Sequence, residues 1–163
     1  VGQGSVFRVE FPLQLAPPGV AALADTGIAE KQKDAALRGR VLLVEDNYPN
    51  VLVASTFLEE FGYAYDVASN GHSALEQLDG GAYDIILMDV QMPKMNGWDT
   101  TRAIRAREQE NGRSRMPIIG MTAHALSGDR ERCIEAGMDE YICKPFDAEE
   151  LRLKLDTLLR ASA

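Results

Sequence analysis

From residue 40 onward, short continuous apolar runs alternate with longer segments whose apolar residues recur at helical spacing. Val41-Leu42-Leu43-Val44 leads into Glu45-Asp46, and Asp84-Ile85-Ile86-Leu87-Met88 leads into Asp89. Pro117-Ile118-Ile119-Gly120-Met121 leads into Thr122-Ala123, and Tyr141-Ile142-Cys143 leads into Lys144-Pro145. Each run reads as a buried strand with a polar group at its C-terminal end. Tyr63–Val67 supplies a fifth strand. Between them, Pro49 stands where the first turn of a helix tolerates proline, and Val51, Ala54, Leu58 and Phe61 form an inward stripe closed by Gly62. Asn70 caps a helix that turns Ala74, Leu75 and Leu78 inward. After Asp89 a loop to Gly97 opens a helix carrying Trp98, Thr101 and Ile104, followed by an Arg-rich polar connection over 107–116. A helix from Ser127 to Ala136 is stopped by Gly137. The last helix opens with Asp147 and Glu150 in capping-box spacing and buries Leu151, Leu155, Leu158 and Leu159. Strands alternating with helices predict a five-stranded, doubly wound α/β sheet with helices on both faces.

Upstream the pattern changes. Residues 1–11 combine Gly2 and Gly4 with alternating Phe7, Val9 and Phe11, a strand with one buried face and no partner nearby in sequence. It is expected to be disordered or to borrow a partner. Residues 12–39 carry Pro12, Pro17, Pro18 and Gly19 and then an Ala-rich charged stretch, read as a linker with a short helix over 30–37.

In a parallel sheet the C-terminal strand ends lie side by side, so Glu45, Asp46, Asp89, Thr122 and Lys144 should meet in one crevice. Glu45 and Asp46 are adjacent, yet the strand gives way to loop there, which lets both face it. Three carboxylates at such range repel unless a cation neutralises them, and oxygen-only ligands suit Mg²⁺ or Mn²⁺. Lys144 and Thr122 add a positive charge and a hydroxyl donor for phosphoryl oxygens. The set can place a phosphoryl group on a carboxylate, because phosphoryl transfer is mostly positioning and charge stabilisation. One acid at one strand end is ordinary loop chemistry; polar groups at four strand ends are not.

Composition narrows the partners. The net charge of −8 arises wholly in residues 40–163, where 13 basic residues face 21 acidic ones. An acidic domain without a basic stripe is a poor nucleic-acid binder. No apolar run reaches the roughly 20 residues that cross a bilayer. Cys133 and Cys143 are too few for a structural zinc site and suit a reduced compartment, so the expected localisation is cytoplasmic.

Glu45-Asp46-Asn47, Met88-Asp89-Val90-Gln91-Met92-Pro93 with Gly97, Met121-Thr122-Ala123 and Lys144-Pro145-Phe146 together resemble the receiver domain of two-component response regulators. The resemblance covers about residues 40–160, and the spacing of all four blocks fits. It implies the flavodoxin-like strand order 2-1-3-4-5 and phosphoryl transfer from phosphohistidine to Asp89. It implies Mg²⁺ held by Asp46, Asp89, the backbone carbonyl of Gln91 and, through water, Glu45. Thr122 and Lys144 would contact phosphoryl oxygens, and Tyr141 would be the aromatic switch that turns inward as Thr122 moves. Gln91 and His124 match positions that tune dephosphorylation. Glu45 stands where many members have Asp. The implied partner is a histidine-kinase core or a histidine-phosphotransfer domain, docking on a surface that includes Val51, Ala54 and Phe57. Switching would be read on the face of the fourth helix, fifth strand and fifth helix, through which homodimers can also form.

The segment from Gly2 to Leu13 resembles the end of a histidine-kinase ATP-binding domain. With the linker and receiver it implies a hybrid sensor histidine kinase, with the parent anchored in the inner membrane. Rival readings fail on particular residues. A haloacid-dehalogenase-type phosphatase needs an acid two residues after its nucleophile, where this chain has Gln91. A flavodoxin-like cofactor site needs a phosphate loop where Glu45-Asp46 would repel phosphate. A dinucleotide fingerprint lacks its third glycine, with Phe7 in its place. Among residues 40–163 there is no DNA-binding module for a transcription factor.

Overall fold

The computed structural model describes residues 38–123 and 128–161. Five strands alternate with five helices: β1 Arg40–Val44, α1 Tyr48–Phe61, β2 Ala64–Ala68, α2 Gly71–Gly80, β3 Ile85–Asp89, α3 Gly97–Asn111, β4 Ile118–Thr122, α4 Asp129–Ala136, β5 Glu140–Cys143 and α5 Ala148–Ala161. All strand pairs are parallel, in the order β2-β1-β3-β4-β5. Alternation along each central strand divides the core in two. Leu42, Val44, Ile86, Met88 and Ile118 face one side with Ala74, Leu75 and Ile104. Val41, Leu43, Ile85, Leu87 and Ile119 face the other with Ala54, Leu58, Leu151 and Leu155. Burial on both faces is why these strands are continuously apolar.

The punctuation acts as its chemistry dictates. Asn70 accepts from the Ser73 amide at 3.0 Å, and Asp147 accepts from the Glu150 amide at 2.8 Å. Gly62, at φ 80°, closes α1 in the left-handed conformation that L side chains avoid.

Several boundaries and roles differ from the sequence reading. Tyr63 precedes β2 rather than opening it and packs into the core at 2% exposure. The expected connection over 107–116 is helix as far as Asn111. The Arg115 side chain stays 55% exposed, whereas Arg105, just ahead of that stretch, is enclosed at 11%. Arg105 donates to the Gly137 and Met116 carbonyls and pairs with Glu108 and Asp139, all at 2.9 Å. Arg115 joins the same cluster through Asp139 and the Gly137 carbonyl at 2.8 and 2.7 Å. These arginines tie α3, the turn before β4 and the turn after α4 together. Leu158 and Leu159 are partly rather than fully buried, and Cys143 is half-buried. The described part of α4 begins at Asp129; Ser127 lies outside the described residues, as do His124, the expected remnant strand over 1–11 and the linker as far as residue 37. No described helix is long and apolar enough to cross a membrane.

Candidate functional site

Register builds the site. Val44 pairs with Met88, so Glu45, one step further, comes beside Asp89. Asp89 pairs with Met121, and Thr122 follows; Thr122 pairs with Cys143, and Lys144 follows. Each strand therefore delivers its polar residue one step past its last apolar one, where the sheet ends and the helices diverge.

One carboxylate oxygen of Glu45, Asp46 and Asp89 can be chosen such that all three lie within 4.8 Å of one another. Glu45 and Asp89 are buried, at 2% and 5% exposure, whereas Asp46 is exposed. This is one open and two enclosed acids, a donor set of hard oxygens that fits a divalent cation with room for water. Lys144 crosses from β5 to bridge the two buried acids, with Nζ 2.5 Å from Glu45 Oε2 and 2.9 Å from Asp89 Oδ2. The other Glu45 oxygen accepts from the Asn47 amide at 3.2 Å and from Asn50 Nδ2 at 3.0 Å. The other Asp89 oxygen accepts from the Gln91 amide at 3.0 Å.

The Asp89 carboxyl is pushed up from the ordinary 3.8 to about 6. Burial is the largest cause and the Glu45 charge adds to it, while the Gln91 amide and Lys144 pull the other way. A single ammonium does not fully offset two buried acids, so the site favours added positive charge.

The loop after β3 is shaped by Gly97. A Cβ there would lie 2.2 Å from the Asp89 carbonyl oxygen and 2.8 Å from Val90 Cα. The Gly97 amide instead donates to the Val90 carbonyl at 3.2 Å, folding the loop back beneath the acid. A small apolar pocket of about 100 Å³ beside the crevice is lined by Asn50, Val53, Met121 and Phe146 together with Glu45 and Lys144.

Glu45, Asp46, Asp89 and Lys144 thus converge as the strand-end argument requires. Thr122 sits at the adjoining strand end, fully buried, with its hydroxyl donated to Asp129 Oδ2 at 2.7 Å. Gln91 is exposed at the site's mouth and contributes its amide. Tyr141 is half-buried, with the Arg130 guanidinium 5.9 Å and the Lys154 ammonium 5.6 Å from its ring centre. Two participants escaped the sequence reading. Asn50 lies one helical turn past Asn47, a spacing that could have flagged it; Asp129 carried no signal, because it reaches Thr122 through the fold.

Residues 41–156 match the response regulator receiver domain family. The sensor protein GacS of Pseudomonas syringae pv. syringae is 41% identical over 112 residues, which make up 69% of this chain and 12% of that protein. The chain therefore spans only a small part of such relatives. The receiver domain of sensor histidine kinase PA1611 from Pseudomonas aeruginosa, solved with a magnesium ion coordinated in its active-site cleft, is 41% identical. It superposes with a TM-score of 0.68, covering 74% of this chain and 97% of that one. The receiver domain of Saccharomyces cerevisiae Ssk1, solved with the histidine phosphotransfer protein Ypd1, gives 28% identity and a TM-score of 0.72 over 76% of this chain and 90% of the other.

Proposed function

The chain belongs to the response regulator receiver domain family, and we propose that it accepts a phosphoryl group from phosphohistidine on Asp89 and changes conformation in response. The observation that carries this reading is the buried Asp89 carboxylate at the sheet's edge, clustered with Glu45 and Asp46 and held by Lys144 at 2.9 Å. An Asp89 oxygen attacks phosphorus, the phosphorus–nitrogen bond to the donor imidazole breaks, and the imidazole leaves with the bonding pair. Only the ionised carboxylate is a nucleophile. Asp46, Asp89, the Gln91 carbonyl and, through water, Glu45 would hold Mg²⁺ or Mn²⁺, which would supply positive charge to the acids and the phosphoryl oxygens. Lys144, already between Glu45 and Asp89, can follow the phosphoryl oxygen as negative charge moves outward. Thr122 supplies a hydroxyl to another oxygen, and Tyr141 reports that movement. Gln91 and His124 set the access of water to the acyl phosphate.

The donor is a histidine-phosphotransfer domain or kinase core docking on α1. Of the three residues expected to meet it, Ala54 is buried, and Val51 and Phe57 pack against the core. The exposed apolar residues of this helix are instead Tyr48, Leu52 and Val53, at 74%, 54% and 49% exposure. They are the better docking candidates, beside the crevice that α1 flanks. Exposed Ile134 on α4 and Leu153 on α5 support an output or homodimer contact through those helices. The parent protein is read as a hybrid sensor kinase operating its receiver in the cytoplasm, in keeping with the sensor-kinase relatives.

The test is incubation with acetyl phosphate and Mg²⁺, read by intact mass. One phosphoryl adduct is expected, absent without metal and absent in Asp89→Asn. An adduct surviving in Asp89→Asn would overturn the assignment. With a phosphohistidine donor, Leu52→Asp should slow transfer while leaving the acetyl phosphate reaction unchanged.

A further inference from the structure

Thr122 has one hydroxyl proton, and in this structure it goes to Asp129. Thr122 is 0% exposed and Asp129 5%, with 2.7 Å between the oxygens. Asp129 is the first residue of α4, where unpaired amides and the helix dipole favour a carboxylate. The next residue, Arg130, lays its guanidinium 5.9 Å from the centre of the Tyr141 ring. Consecutive residues in one helical turn thus hold both Thr122 and Tyr141. Those two sit on neighbouring strands, with Gly120 paired to Tyr141 and Thr122 to Cys143.

We propose that Asp129 is a positioning residue that latches Thr122 in the resting state, so that phosphoryl on Asp89 must compete with the Asp129 carboxylate for one proton. This rests on the reading of Asp89 as phosphoacceptor. A hydroxyl donating to Asp129 cannot donate to a phosphoryl oxygen. Occupation of the site therefore costs the Thr122–Asp129 bond, and anything that weakens the bond favours occupation by the same factor. Release of Asp129 also frees the turn that carries Arg130, which gives Tyr141 a direct mechanical link to the loss of that bond. Asp129 touches no reacting atom. It sets how readily Thr122 can.

The test is Mg²⁺-dependent binding of beryllofluoride, a mimic of the acyl phosphate, to the full chain. Four forms are compared: wild type, Asp129→Asn, Thr122→Ala and the double variant, each first checked for cooperative thermal unfolding. Asn keeps the side-chain shape but is a neutral, weaker acceptor, so Asp129→Asn should bind beryllofluoride roughly tenfold more tightly. In the Thr122→Ala background the same change should have no effect. In ligand-free Asp129→Asn the Tyr141 ring resonances should move part-way toward their beryllofluoride-bound positions, which a purely structural role would not produce. Unchanged or weaker binding by Asp129→Asn, or equal tightening without Thr122, overturns the latch while leaving Asp89 as acceptor. Absence of Mg²⁺-dependent binding by wild type overturns the phosphoacceptor reading, and the latch with it. If the Asn variant does not unfold cooperatively, Asp129→Ser, a residue suited to a helix start, takes its place with the same expectations.

Discussion

Asn at position 89 should stabilise the metal-free protein at neutral pH and lose that advantage in acid. Asp89 is 5% exposed and titrates near 6 rather than 3.8, chiefly because it is buried and secondarily because Glu45 stands beside it. The folded state therefore binds the proton more tightly than the unfolded chain. For an acid shifted upward, the protonated form supports the fold; the contribution is complete below the unfolded pKa and is lost as pH rises through the folded one. The move from 3.8 to about 6 corresponds to roughly 3 kcal/mol of lost stability at pH 7.5, about 2 at pH 5 and less than about 1 at pH 4. Asn is a permanently neutral stand-in for the protonated acid and can still accept from the Gln91 amide, while Lys144 keeps Glu45 at 2.5 Å. Urea unfolding of both proteins without metal, between pH 4 and pH 8, measures the difference directly. The gap should open through pH 4–6 and level off above it. Saturating Mg²⁺ should narrow it at pH 7.5, since about 100 times Kd of a ligand specific for the folded state contributes about 2.7 kcal/mol to wild type. A gap that does not vary with pH would refute the burial argument, and a gap of opposite sign would mean that Lys144 dominates Asp89.

Removing Lys144 tests the other side of the same balance. Lys144→Met leaves Glu45, whose side chain is 1% exposed, without its cation, and should cost about 3–5 kcal/mol in metal-free urea unfolding. Added Mg²⁺ should restore more stability to this variant than to wild type. Arg105→Ala strips Glu108 and Asp139 of a shared partner at 2.9 Å and should cost about 2–4 kcal/mol by the same assay. Because that cluster lies at the opposite end of the sheet, Mg²⁺ affinity measured by calorimetry should stay within about twofold at temperatures where the variant is folded. Gly97→Ala drives a Cβ to within 2.2 Å of the Asp89 carbonyl oxygen. It should cost about 1–3 kcal/mol and also weaken Mg²⁺ binding, since the displaced backbone carries the acid itself.

Much of this was legible because strand ends are a local matter, whereas the strand order came with the family resemblance. Continuous apolar runs can be buried on both faces only in a parallel sheet under helices, and the residue after each run must then sit at the sheet's edge. Glu45, Asp89, Thr122 and Lys144 follow from that, and the caps at Asn70 and Asp147 follow separately from side-chain acceptors placed just before helices. Arg105 looks like a solvent-facing charge until Asp139, beyond the next strand and helix, is folded against it. Ala54 was assigned to a docking surface although it lies on the inward stripe of its own helix; the phase that buries Ala54 and Leu58 exposes Leu52 and Val53.

Sequence by itself determined the strands and helices and the identity of the acids, since each depends on residue type and spacing within a few positions, and the family, through four motif blocks between residues 45 and 146. Tertiary structure decided how those groups are used. Lys144 reaches Glu45 across 99 residues, and Thr122 spends its proton on an acid in the following helix rather than in the crevice. Both outcomes depend on distances across the fold, which no local pattern encodes. Asp89 carries the same lesson: its carboxyl is an ordinary acid in the unfolded chain, and only burial beside Glu45 gives it a proton to lose near neutral pH.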